Sequence, residues 1–248
     1  MVRICCWIGN VMIYNGRKIW QCTSDYRYND DEARSLVENS DESFIAAGWK
    51  YSQPLKFNVP YFIKFDKRGN RVWEKTINST NDNIVNCIIK TSDSYLLTCG
   101  YKKNDAGNND YWLAKLDNNA NVEWENLYGG DKDDFGQSCI NTADGGFMVA
   151  GQSSSFGQGL NDALVIKTNS DGAKEGFFTF GQTQDEIAMV INDLTDDNYL
   201  IAGSTKSKSG KWDAWILKAK MDKTNLAFTA NPTNESDQSS KPPSISIV

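Results

Sequence analysis

The sequence predicts an all-β protein, a β-propeller built from four-stranded antiparallel blades, with about four and a half blades in this chain. Three observations predict it: an apolar run ending in glycine recurs, an acid precedes each run, and a lysine follows each run. Successive copies of each landmark lie 51 or 52 residues apart. A period of about 50 residues with four short apolar runs per unit is typical of a propeller blade.

The recurring apolar runs are DESFIAAG, DSYLLTCG, DGGFMVAG and DDNYLIAG. Each run ends at a glycine, which we expect to keep the strand small where an adjacent sheet approaches closely. These glycines are Gly48, Gly100, Gly151 and Gly203.

An acid and a lysine repeat with the same period. The acids are Asp30, Asp82, Asp133 and Asp185. We expect them to cap backbone N–H groups where one blade passes to the next, although such a ring could also bind a cation or act in acid–base chemistry. The lysines, which stand inside apolar strands, are Lys64, Lys115, Lys167 and Lys218. Because a buried cation needs a partner, we expect each lysine to meet a carboxylate or several carbonyl groups.

Tryptophan residues close the units. They stand at Trp20, Trp73 and Trp124. A docked tryptophan buries about 150–250 Å², so these side chains predict the contacts that join one blade to the next. The third unit has Phe177 near this position, and the fourth has only the weaker LAFTA.

The predicted strands divide the chain into blades. Clusters such as TADGG and NSDGA separate the apolar runs and favour tight turns between antiparallel strands. The boundaries are a half blade at 1–29, blades at 30–81, 82–132, 133–184 and 185–230, and a flexible polar tail at 231–248. The N-terminal hairpin either completes a terminal blade or opens a piece of a longer array, whose uncovered edges would promote self-association.

Composition excludes several classes of function. With 26 basic and 32 acidic residues, the net charge of −6 argues against a nucleic-acid partner. The absence of histidine removes Ser-His-Asp and Cys-His catalysis and histidine-ligated metals. No apolar run approaches the roughly 18 residues that a membrane span requires. We therefore predict no membrane span and no metal.

The cysteines predict free thiols rather than disulfides or a metal knuckle, because none of their spacings is C-x-x-C. They are Cys5, Cys6, Cys22, Cys87, Cys99 and Cys139. The N-terminus lacks a small-residue cleavage site and is a poor signal peptide, so a cytoplasmic location stays open.

The landmarks resemble a repeat of large secreted bacterial and archaeal propeller proteins. Its pattern is GG-x-x-x-D, then DGG-[FY]-x-x-AG, then D-x-[WL]-x-x-K-x-D-x-x-G-x-x-x-W. Gly129-Gly130 with Asp133, DGGFMVAG at 144–151, DALVIK at 162–167 and FDKRGNRVW at 65–73 match it. The resemblance implies a propeller of quinoprotein- or kelch-like architecture, secreted or at the cell surface, with a role in display, adhesion or ligand binding. The only adjacent cysteines lie in the N-terminus, so we expect no quinone cofactor.

The loops joining the second and third strands differ from unit to unit, and variable loops on a rigid scaffold are where binding sites usually lie. Their aromatic, amide and lysine side chains suit a glycan or a protein surface. The candidate binding residues are Trp49, Tyr51, Tyr101, Asn104, Asp105, Asn108, Phe156, Gln158, Lys206 and Trp212.

We expect a non-catalytic binding module that contacts a glycan or protein through these loops, with no catalytic residues and no cofactor. Two alternatives are a carboxylate-dependent carbohydrate-active enzyme and a ligand-free structural segment of a longer surface protein. A carboxyl group with a raised pKa, present in one blade only, would favour the enzyme.

Overall fold

The computed structural model describes residues 10–14, 17–22, 30–181, 183–194, 197–222 and 227–230. Within these ranges the protein is all-β and has no helix. Cys5, Cys6 and the predicted tail, 231–248, lie outside the described residues. Among the residues that are described, no helix has the length and apolar character needed to cross a membrane.

The strands form one two-stranded and four four-stranded antiparallel sheets, which confirms the predicted propeller fold. The two-stranded sheet is β1 (Asn10–Tyr14) and β2 (Arg17–Cys22). Blade one is β3 (Asp31–Glu38), β4 (Phe44–Ser52), β5 (Phe57–Phe65) and β6 (Arg71–Thr76). Blade two is β7 (Asn83–Lys90), β8 (Leu96–Lys103), β9 (Asn109–Leu116) and β10 (Val122–Tyr128). Blade three is β11 (Asp134–Asn141), β12 (Phe147–Ser153), β13 (Asp162–Thr168) and β14 (Lys174–Phe180), and blade four is β15 (Glu186–Asp193), β16 (Asn198–Lys206), β17 (Trp212–Asp222) and β18 (Ala227–Ala230).

Each blade packs face to face on the next. The first strands β7, β11 and β15 lie against the preceding blade, and the buried side chains form separate apolar layers between consecutive sheets. Phe62 of blade one, for example, packs with Trp112 of blade two, and both are fully buried. Because the central strands of blades one to three are buried on both faces, the core of this protein lies between the blades.

The repeated glycines are required by a bulge inside each blade. Gly100 pairs with Val85 at the point where the register between β7 and β8 shifts. A Cβ on Gly100 would lie 1.8 Å from the carbonyl oxygen of Ile84. An adjacent sheet does approach some of these glycines, since the Tyr111 hydroxyl of blade two lies 2.8 Å from the Cβ position of Gly151, but the closest neighbour is the first strand of the same blade. Gly48, Gly151 and Gly203 have the same arrangement.

The turn between the third and fourth strands is built in one way in three blades. Its first residue accepts hydrogen bonds from the backbone N–H groups two and four positions later. These first residues are Asp66, Asp117 and Asn169. Its fourth residue has a positive φ, which favours glycine. These fourth residues are Gly69, Ala120 and Gly172.

The repeated tryptophans dock on these turns. A Cβ on Gly69 would lie 2.6 Å from the ring of Trp20, and one on Gly172 would lie 2.7 Å from the ring of Trp124. Trp73 packs in the same apolar layer as Ala120. Each tryptophan therefore covers the turn of the blade that follows it in the chain, and Trp20 joins the N-terminal hairpin to blade one in this way.

Three of the four repeated lysines form ion pairs with acids. Lys167 is fully buried, and its Nζ lies 3.0 Å from Asp144 and 2.8 Å from Glu175. Burial opposes ionisation of Asp144, but hydrogen bonds from Thr142 and Lys167 prevail and lower the pKa of Asp144 to about 2. Lys64 and Lys115 pair with the equivalent acids Asp41 and Asp93. Lys218 is exposed, and residue 196 at the equivalent acid position lies outside the described residues.

We expect Gly172→Ala to lower the free energy of unfolding by about 2–4 kcal/mol, because the new Cβ meets Trp124 and strains a backbone with φ of +79°. Urea unfolding followed by tryptophan fluorescence measures it. Gly107→Ala is the matched control, because its φ is +95° and no atom lies within 4 Å of its Cβ position. Equal losses in the two variants would show that contact with the tryptophan contributes nothing.

Candidate functional site

Several candidate binding residues are engaged within the rim loops. Asn104 donates a hydrogen bond to Asp110 Oδ2 at 2.9 Å and accepts one from the backbone N–H of Asn108. The side chain of Asn108 donates to the carbonyl oxygen of Asp131 at 2.7 Å. These amides hold the loop of blade two against the connection to blade three.

The aromatic candidates are dispersed over different blades. Tyr101 meets Phe135 edge-on, with ring centroids 4.8 Å apart. Phe156 packs on Phe177, with centroids 4.7 Å apart. Trp212 is 49% exposed. The described aromatic rings are thus divided between blade interfaces and open surface.

The remaining candidates lie at or near the surface. Trp49 donates its Nε1–H to Glu32 at 3.1 Å, and the backbone N–H of Tyr51 donates to the carbonyl oxygen of Asp30 at 2.8 Å. Lys206 pairs with Asp185 at 3.1 Å and stands over the Trp212 ring. Asp105 and Gln158 are exposed. That any of these ten residues binds a ligand stays a prediction.

The acids between blades hold the start of the third strand in the preceding blade. Asp82 Oδ1 accepts the backbone N–H of Asn58, and Asp133 Oδ1 accepts that of Asn109, each at 2.8 Å. Asp185 accepts the corresponding N–H from Asn161 at 3.1 Å. Asp30 is exposed. These bonds hold each blade at a fixed height relative to the next. A second set of acids, contributed by adjacent blades, lies close together beside them.

Two buried carboxyl groups, Asp110 and Asp134, face each other at the rim between blades two and three. They are 8% and 0% exposed. Asp110 Oδ1 and Asp134 Oδ2 lie 2.1 and 2.9 Å from the point where a Cβ on Gly129 would stand, so the glycine makes room for both. Asp134 accepts hydrogen bonds from Gly130 N–H and from the Ser155 hydroxyl. Asp110 Oδ1 has no hydrogen-bond partner among the described residues.

A second pair, Asp162 and Glu186, occupies the same place between blades three and four. They are 2% and 7% exposed, and both approach the Cβ position of Gly181. Val59 and Asn83 occupy the equivalent positions between blades one and two. The carboxyl pair therefore belongs to two of the three described blade interfaces.

One carboxyl group of each pair resists ionisation. Burial, helped by the negative charges of Asp134 and Asp133, raises the pKa of Asp110 above its ordinary value of 3.8. Burial and the charge of Asp185 raise the pKa of Asp162 in the same way. A carboxyl group that keeps its proton at higher pH can donate that proton to a substrate.

Asp110 and Asp162 each stand at the first position of a D-x-[WL]-x-x-K motif, and this motif was the sequence signal for both groups. It did not show that Asp110 meets Asp134, because those acids lie on different blades. The sequence prediction treated acids as caps of repeated turns and missed the pairs.

Solved structures that are similar to this chain include the following three. A Bifidobacterium bifidum protein provisionally assigned as an exo-β-1,3-galactanase is 8% identical, with a TM-score of 0.51 over 84% of this chain and 71% of that chain. The WD40 domain of Pan2 from Neurospora crassa is 9% identical, with a TM-score of 0.51 over 90% of this chain and 66% of that domain. A levansucrase variant from B. megaterium is 11% identical over 84% of this chain and 73% of that one, and its TM-score of 0.45 is too low to support an argument.

These likenesses support the β-propeller fold and show nothing finer at such low identity. No known family profile matches the chain. No curated protein sequence matches it either.

The expectation of a non-catalytic binding module was wrong. A protein provisionally assigned as a galactanase has this architecture, and the raised pKa of Asp110 and Asp162 meets one part of the condition that the sequence analysis set for an enzyme. The acids occur at two interfaces rather than in one blade only. The alternative, a carboxylate-dependent carbohydrate-active enzyme, therefore replaces the binding module as the hypothesis to test.

We expect Asp162→Asn to raise the free energy of unfolding at pH 7 by about 1 kcal/mol. Because folding raises the pKa of Asp162, the stability of the native protein falls as pH rises above 3.8, and asparagine removes that loss. Urea unfolding at pH 3 and pH 7 measures the effect, which should vanish at pH 3.

Asp185→Asn is the control with the opposite sign. Burial opposes ionisation of Asp185, but hydrogen bonds from Lys206 and Asn161 prevail and lower its pKa. Its contribution is present above pH 3.8 and is lost as pH falls through the lowered pKa, so this variant should be less stable at pH 7. A loss of stability at pH 7 in both variants would contradict the assignment for Asp162.

Proposed function

We propose that this protein is a carboxylate-dependent enzyme acting on carbohydrates, with Asp110 and Asp134 as its catalytic pair. The observation that carries the proposal is the pair itself: two carboxyl groups face each other at the rim, and the pKa of one is raised by burial and by the charge of the other. Two carboxyl groups in different electrostatic states are the usual equipment for cleaving a glycosidic bond.

Asp110 is the general acid in this proposal. It is the more exposed member of the pair, and its Oδ1 has no protein partner among the described residues. Its proton would pass to the glycosidic oxygen of the leaving sugar. The negative charge of Asp134 would then stabilise the positive charge that develops at the anomeric carbon.

The loop over the pair supplies the contacts for a sugar. Asn104 already binds Asp110, while Asn108 and Tyr101 lie on the same loop and strand end. Amide groups and a tyrosine ring provide hydrogen bonds and a stacking surface for a pyranose. A secreted or cell-surface location, as the repeat pattern implies, would bring the enzyme to polymeric glycans.

We expect the protein to release sugars from β-1,3-galactan, and Asp110→Asn to lower kcat by about 100-fold or more. Asparagine keeps the shape of the side chain but carries no proton to give. Chromatography of the released sugars measures the rate. In the native enzyme the rate should fall as pH rises past the raised pKa of Asp110, at a higher pH than an ordinary aspartate would give.

Asp162→Asn is the matched control, because it makes the same chemical change at the equivalent position of the next interface. We expect it to leave kcat within about twofold. Equal loss in the two variants would indicate a structural effect and overturn the assignment of Asp110. Complete absence of sugar release from β-1,3-galactan by folded protein would overturn the proposed function.

A further inference from the structure

Three thiols from two blades meet beside the innermost strands. Cys87 and Cys99 are direct partners across β7 and β8, and Cys139 comes from β11 of the next blade. Their sulfur atoms all lie within 4.8 Å of one another. All three are free cysteines; Cys99 and Cys139 are buried and Cys87 is partly exposed.

The repeat shows that the fold does not need cysteine at these positions. At the Cys87 position, which follows the bulge of the first strand, the other blades have Ser35, Ser138 and Val190. At the Cys99 position, all three other blades have alanine, and these are Ala47, Ala150 and Ala202. At the Cys139 position they have Leu36, Ile88 and Ile191. Three departures from the repeat thus converge on one point.

The surroundings suit a soft metal ion. Thiolate sulfur selects Cu(I) and zinc over hard cations, and the neighbouring Leu97, Leu113 and Val149 are fully buried apolar side chains. A metal–sulfur bond of about 2.3 Å places three sulfurs around one ion about 4 Å apart, which requires only a small contraction of this cluster. Within the described residues, no fourth cysteine or carboxylate joins the group. Structural zinc sites use four ligands, so the three sulfurs fit three-coordinate Cu(I) better.

We propose that Cys87, Cys99 and Cys139 bind one Cu(I) ion through their three sulfur atoms. Each thiol that binds gives its proton to solvent, and copper stays in the +1 state, so no electron is transferred. Cys87 is the partly exposed member of the cluster, so it is the thiol that an ion arriving from solvent reaches first. The site is separate from the carboxyl pairs and does not depend on the proposed enzymatic activity.

The test uses the full chain with Cys5, Cys6 and Cys22 replaced by serine, so that only the cluster contributes thiols. Cu(I) is titrated anaerobically against the chelator bathocuproine disulfonate. We expect one equivalent of copper to bind, with three sulfur neighbours in the X-ray absorption spectrum. Cys87→Ser, Cys99→Ala and Cys139→Ile should each weaken binding by about 100-fold, at the upper end of the losses seen when the support of a metal site is removed.

The three substitutions introduce residues that other blades already use at these positions, so the metal-free variants should unfold at the same urea concentration as the parent. That result separates loss of a ligand from loss of the fold. Unchanged copper affinity in the triple variant would overturn the proposal. Stoichiometric binding of Zn(II) but not Cu(I) would also overturn it. So would a disulfide between two of these thiols that persists after treatment with a reductant.

Discussion

The structure depends on one constraint: a sheet that is apolar on both faces, as in blades one to three, is stable only when both faces are covered. The buried layers lie between blades rather than within them. The period near 52 residues follows from this constraint, because each unit must present the same two faces at the same level as the unit before it. The acids that hold the third strand of the preceding blade and the tryptophans that cover the turn of the following blade both act across that boundary.

Buried charged groups of this protein occur in two opposite situations, one paired with opposite charge and one not. Lys167 is buried but is paired with two acids, which offset the cost of removing it from water. The pair formed by Asp110 and Asp134 has no ion pair to a cation among the described residues, and burial raises the pKa of Asp110. Such an unpaired, buried carboxyl pair at the rim lowers the stability of the protein. Functional sites often break the rules of stable packing in this way.

Much of the fold could be predicted from the sequence. Four runs ending in glycine, with acids and lysines in step, predicted repeated four-stranded blades, and the tryptophans predicted contacts that join successive blades. The reason for the glycine was missed, since a β-bulge is a property of two paired strands. The candidate site was missed for a related reason: Asp110 and Asp134 are 24 residues apart and meet only because one blade lies against the next.

The sequence by itself determined the repeat, the number of strands in each unit and the residues that join the units, because these features recur and local chemistry decides them. Only the tertiary structure decided which of the side chains that do not recur in every blade come into contact. Cys87, Cys99 and Cys139 have no spacing that indicates a site, and neither do the acids of a carboxyl pair. Packing one twisted sheet against another brings such residues together, and the distance along the chain says nothing about which of them will face each other.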